Sequence, residues 1–149
     1  MSLQRAAVLL AVLLAMSACR RKTELLPEGA KQVTRVDSHE AAESGEVALR
    51  EYRFVLADGK SNMHGFVCET RLFPDAEVAQ KAAAKAIAER PQVGEQKPQA
   101  KFAASGRSVW LWHRRELAWC MLTSPRVSDL AAAMQPVITK FKKQFDEAS

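Results

Sequence analysis

Apolar and polar positions divide the chain into stretches of different rhythm. Ala6–Ala15 (AAVLLAVLLA) is unbroken apolar sequence. Residues 20–46 are polar and charged with no steady period, which predicts a linker with room for a short strand at Lys31–Val36. From Val47 the pattern alternates. VALREYRFVLADGKSNMHGFVCETRLF predicts two strands around a turn at Asp58-Gly59. Ala48, Tyr52, Phe54 and Leu56 share one face of the first strand, and His64, Phe66, Cys68, Thr70 and Leu72 one face of the second. The rhythm then becomes helical. Pro74 and Asp75 open a segment whose Val78, Ala79, Ala82, Ala83, Ala86 and Ile87 form one stripe. Its alanines permit a close approach to a sheet. Pro91 stops it, and 91–101 is expected as a loop.

FAASGRSVWLWHRRELAWCMLTS predicts three more strands, turning at Ser105-Gly106 and at Arg114-Arg115. With the second turn fixed there, His113 faces Glu116, Trp112 faces Leu117 and Trp110 faces Trp119. Trp110, Trp112, Leu117, Trp119 and Met121 then share one face, and Val109, Leu111, Ala118, Cys120 and Leu122 the other. Both faces are apolar. A last helix carries Leu130, Met134, Val137, Ile138, Phe141 and Phe145 at helical spacing, with Pro136 expected to kink or split it. The fold class is α+β: an antiparallel sheet of about five strands with two helices packed on one face. GFVCETRLFPDAEVAQKAAAKA also lies over LAWCMLTSPRVSDLAAAMQPVI, which raises a duplicated strand-strand-helix unit with Cys68 and Cys120 at matching places.

The opening residues change the picture. One cation, Arg5, precedes the apolar run, and Met16, Ser17 and Ala18 follow it. That order is a secretory signal peptide. A spanning helix needs about 20 apolar residues, and Ala6–Ala18 supplies 13. Met16-Ser17-Ala18-Cys19 resembles the lipobox of bacterial lipoproteins, with Met where Leu is commonest. The resemblance implies cleavage before Cys19, covalent diacylglyceryl and N-acyl groups on that residue, and a membrane held through this anchor. More than one chain is needed for stable anchoring. Arg20, rather than Asp, after the cysteine implies an outer-membrane address facing the periplasm. The organisation expected is a signal peptide at 1–18, a lipidated flexible linker at 19–46 that could reach about 90 Å, and one domain at 47–149.

Composition narrows the function. The whole chain carries 22 Lys+Arg and 17 Asp+Glu; without Arg5 the excess is +4. An excess this small, in this compartment, argues against nucleic acid as a partner. With Cys19 acylated, Cys68 and Cys120 remain to pair in an oxidising compartment or to be buried separately.

Candidate chemistry is sparse. Trp110, Trp112 and Trp119 either fill a core or form a binding face. His39, His64 and His113 have no partner at metal-ligand spacing, and a Cys-His pair of His64 with Cys68 would span about 13 Å along a strand. Glu69 and Glu116 have no second acid at fixed spacing. No phosphate loop, GxSxG or CxxC occurs. KFKKQF in the last helix suits a membrane surface or a cationic last turn. The expected function is an anchored, non-catalytic module that binds a protein or another envelope component, with no metal and no cofactor beyond the lipid. A carrier of an apolar ligand on a Trp-lined face and a thiol-dependent enzyme or redox protein are the alternatives.

Overall fold

The computed structural model describes residues 25–38, 45–58, 60, 62–88 and 93–148. Cys19 and residues 1–18, expected as a signal peptide, lie outside the described residues, as does His39. Seven strands form one antiparallel sheet: β1 (Lys31–Ser38), β2 (Ala48–Ala57), β3 (Met63–Leu72), β4 (Val93–Lys97), β5 (Ala100–Ser105), β6 (Ser108–His113) and β7 (Glu116–Leu122). Their order is β1-β2-β3-β7-β6-β5-β4. Helix α1 (Ala76–Ala88) follows β3, and α2 (Leu130–Glu147) follows β7. The α+β class and the antiparallel sheet stand as expected, with two helices packed against it.

The strand count is seven rather than about five. β4 occupies the expected loop at 91–101, pairing Gly94 with Ala103 and Lys97 with Ala100. β1 extends the expected short strand to Ser38 and pairs with β2. Leu25, upstream of it, is fully buried. Residues 25–38, expected within a flexible linker over 19–46, therefore belong to the domain.

The helices lie on opposite faces, not on one. Val137, Phe141 and Phe145 of α2 pack with Cys68, Phe102, Val109, Leu111 and Cys120. Ala79, Ala83 and Ile87 of α1 pack with Ala103, Trp110, Trp112 and Leu117. Successive side chains of a strand point to opposite faces, so a hairpin apolar on both faces needs a cover on each. α1 presents alanines because indoles already fill the space beneath it.

This arrangement also bears on the duplication. A two-fold axis through the Cys68–Cys120 pair, normal to the sheet, exchanges β3 with β7 and β2 with β6. Such a rotation leaves each face of the sheet on its own side. It would put α1 and α2 on the same face, whereas they lie on different ones. The strands obey the symmetry and the helices break it, so the strand-strand-helix unit does not recur in three dimensions.

α2 runs unbroken through Pro136. A proline inside a helix costs about 3 kcal/mol. Burial of Ala133, Met134, Val137, Phe141 and Phe145 along one stripe offsets that cost. Asp129 caps the start, accepting from the Ala132 N–H. At the other end Lys97 Nζ donates to the carbonyls of Phe145, Asp146 and Ala148, satisfying groups that a helix C-terminus leaves open. Lys142 pairs with Glu95 and Asp146. With Phe141 and Phe145 buried, the KFKKQF stretch is a domain helix with its apolar side already occupied.

Candidate functional site

Three segments meet at one end of the sheet: the β2–β3 hairpin, the β5–β6 turn and the loop from β7 to α2. In the hairpin, the Asp58 carboxylate accepts from the backbone N–H of Lys60 (2.8 Å) and Asn62 (3.0 Å) and from Asn62 Nδ2 (3.3 Å). It also accepts from Nε2 of His64 at 3.0 Å. An ionised carboxylate only accepts, so this bond places a proton on Nε2. Both side chains are nearly buried, at 8% and 7% exposure for His64 and Asp58. The His64 hydrogen bond, foremost, and the backbone N–H groups of Asn62 and Lys60 hold the Asp58 carboxyl well below the usual carboxylate range, against the opposing pull of burial.

Arg107 follows Gly106, whose φ of 52° is the left-handed conformation that the turn requires. Its guanidinium donates to the carbonyls of Leu122 (3.5 Å), Ser124 (2.5 Å) and Pro125 (3.2 Å), holding the post-β7 loop. Ser124 Oγ accepts from the Gly65 N–H at 2.8 Å. A Cβ on Gly65 would come 2.9 Å from Thr123 Oγ1, so the glycine permits this close approach. Lys60 Nζ lies 3.8 Å from Asp129, which ties the hairpin to the α2 cap.

These contacts frame an open cleft of about 670 Å³, lined by Asn62, His64, Arg107, Arg126, Val127 and Ser128 among others. Its size is that of small-molecule sites, and its lining sets two arginines, Asn62, His64 and Ser128 beside the apolar Met63, Pro125 and Val127. It offers hydrogen-bond donors and positive charge to a ligand. Among the described residues, no group of three His, Cys, Asp or Glu side chains could hold a metal ion. No helix among them is long and apolar enough to cross a membrane.

Apart from His64, the residues singled out in the sequence lie elsewhere. Cys68 and Cys120 form a disulfide, and both are 0% exposed. They are register partners on β3 and β7. The Thr123 N–H to Gly65 O and Phe73 N–H to Arg115 O bonds mark hydrogen-bonded pairs on that ladder. Alternation makes Cys68–Cys120 a non-hydrogen-bonded pair, where facing side chains come closest.

The Trp hairpin has the expected register, with Trp110 opposite Trp119 and Trp112 opposite Leu117. Trp112 and Trp110 are buried under α1 at 2% and 8% exposure. They fill the core and have no free face for a ligand. Trp119 is half-buried at the margin, its Nε1 donating to Glu69 at 3.0 Å and its ring 5.8 Å from that of Trp110. Glu69 also accepts from Arg71. Glu116 pairs with Leu72 on the β3–β7 ladder, three residues along from Glu69, so the two acids do not meet. His64 serves Asp58.

Sequence reasoning passed over Arg107 and Arg126, and it read Asp58 only as a turn residue. Asp58 and His64 lie six residues apart with a turn between them, and that spacing was the one available signal. Compared with known proteins, the chain matches no family model, no curated protein and no solved structure.

Proposed function

We propose that the protein is a lipid-anchored bacterial envelope module that binds a ligand or partner at the His64–Arg107–Arg126 cleft and performs no chemistry on it. The observation that carries this reading is the buried Cys68–Cys120 disulfide, a bond that persists in oxidising compartments. It occurs in a chain whose Met16-Ser17-Ala18-Cys19 resembles a lipobox. The address proposed is the outer membrane, facing the periplasm.

A second reading, a periplasmic carrier, draws on the size of the cleft. Its cargo would be polar or anionic rather than apolar, because Trp110 and Trp112 are covered by α1. The thiol-dependent reading has less support, since neither sulfur of the 0% exposed disulfide reaches solvent in this fold.

Intact mass of protein extracted from native membranes tests the anchor. A chain starting at Cys19 and carrying acyl mass is expected, and bare polypeptide rejects the anchor. A photocrosslinker at Ser128, in the cleft, should capture an envelope component that the same group at Lys143 does not. Identical capture from both positions rejects the cleft as the binding place.

A further inference from the structure

The anchor and the cleft are close together. Cys19 and Leu25 are six residues apart, and six extended residues span at most about 20 Å. Leu25 is fixed in the core at 0% exposure. A domain anchored through Cys19 therefore rests against the bilayer and has no long leash.

The start of β1 shows which end of the sheet the first described residues join. The Ala30 N–H donates to Pro27 O at 3.3 Å, closing a turn just before β1. Such a turn brings its ends within about 7 Å, and two further residues place Leu25 within about 14 Å of Ala30. Lys31, the next residue, pairs with Val55 near the end of β2. The β2–β3 hairpin is at that end, with Ala57 opposite Met63. So are the Gly106–Arg107 turn and the loop after Leu122. Leu25 thus lies within about 14 Å of the end of the sheet that carries the cleft. The Arg114-Arg115 turn and the last turn of α2 are at the other end.

Charge at the cleft end of the sheet fits an anionic surface. Lys31, Lys60, Arg107 and Arg126 gather there against Glu28, Asp58 and Asp129. Asp58 is committed to His64, and Asp129 to the α2 cap and Lys60. Arg126 is exposed and makes no ion pair among the described residues. Arg107 spends three of its five N–H donors on carbonyls and faces no carboxylate among the described residues. Arg20, Arg21 and Lys22 lie in the tether itself.

Resting on the anchor reading above, we infer that the cleft seats the phosphate of an anionic phospholipid headgroup. Arg126, the remaining N–H groups of Arg107 and the Ser128 hydroxyl are the donors. Basic residues beside a membrane anchor gain from anionic lipid, and a guanidinium suits phosphate as a hydrogen-bonding fork. The domain is thereby seated cleft-down on the membrane. The β1 edge and the far end of the sheet face the periplasm.

The test uses the full lipidated protein in vesicles of phosphatidylcholine alone, or of phosphatidylcholine with phosphatidylglycerol, and reads amide exchange by mass spectrometry. Peptides covering 58–65, 105–108 and 123–129 should exchange about tenfold more slowly in the anionic vesicles. That is the factor expected for headgroup at roughly ten times its dissociation constant. Arg126→Glu should abolish the difference, while Lys143→Glu, the same charge change at the far end, should preserve it. Equal exchange in the two vesicle types, with protein that is acylated and vesicle-bound, overturns the headgroup site and leaves the anchor standing. The same protection from inorganic phosphate in phosphatidylcholine vesicles overturns it in favour of a free-anion pocket. Protein without acyl mass overturns the anchor reading, and this inference falls with it.

Discussion

Nε2 of His64 donates to Oδ2 of Asp58 across 3.0 Å, and the same carboxylate accepts two backbone N–H groups of its own hairpin. One side chain thus closes the turn and orients the ring that borders the cleft.

The bond makes stability acid-sensitive. Asp58 is held below its ordinary value when folded, by His64 first and then by the hairpin N–H groups. A depressed carboxylate stabilises the fold fully above the unfolded value of about 3.9, and that contribution disappears as pH falls through the folded value. Asp58→Asn should therefore melt below the native protein at pH 7, with the gap narrowing as pH falls below about 4. Thermal melts at a series of pH values check this; a gap that is constant with pH contradicts it.

Removing the disulfide should cost stability without opening the native fold to reagents. Closing a loop of 52 residues is worth about 4 kcal/mol on the chain-entropy estimate. The Cys68→Ala, Cys120→Ala double variant should unfold at correspondingly lower urea. Because the pair is wholly buried, mild reductant with a maleimide should add no mass to the native protein, and should add two labels once denaturant is present.

Trp112 is buried at the α1 interface, its Nε1 bonded to the Arg114 carbonyl at 2.7 Å. Trp112→Ala should lower unfolding free energy by about 3–5 kcal/mol, as large core deletions do. Native emission should be blue-shifted and only weakly quenched by acrylamide, with the quenchable part lost in Trp119→Phe, because Trp119 is the most exposed of the three.

Lys97→Met should uncap α2. The ammonium serves three carbonyls of the last turn and sits 4.6 Å from the Phe145 ring centroid. Losing charge at a helix C-terminus costs about 0.3–1 kcal/mol, and more where partly buried. Amide exchange should quicken at 144–148 and stay unchanged at the α2 start, where Asp129 caps.

Much of the fold was legible wherever burial leaves a period. β2 and β3 alternate because one face of each is the more buried, the Trp hairpin reads as a continuous apolar run because both its faces are covered, and the register of β6 on β7 followed from placing one turn. The apolar character of both Val109/Leu111 and Trp110/Trp112 already required two covers. Reading two helices as one layer lost that signal. β1 was legible only as a short strand at Lys31–Val36, since nearly every residue in it is exposed and Gln32 interrupts it at a φ of 52°. β4, sequence VGEQK, has too few apolar residues to announce a strand. The cleft was illegible for a different reason. Its wall joins Asn62 and His64 to Arg107 and to Arg126 through Ser128, residues brought together only by strand order. No local spacing encodes that meeting.

Strand order also has a mechanical consequence. β1 to β3 form one up-and-down ribbon and β4 to β7 another, each linked only between sequence neighbours. A single seam, β3 against β7, joins them, and Cys68–Cys120 rivets it near its middle. A pull that parted the ribbons would have to break a covalent bond, whereas each ribbon alone can peel strand by strand. Damage to this molecule should therefore begin at its outer strands and reach the seam last.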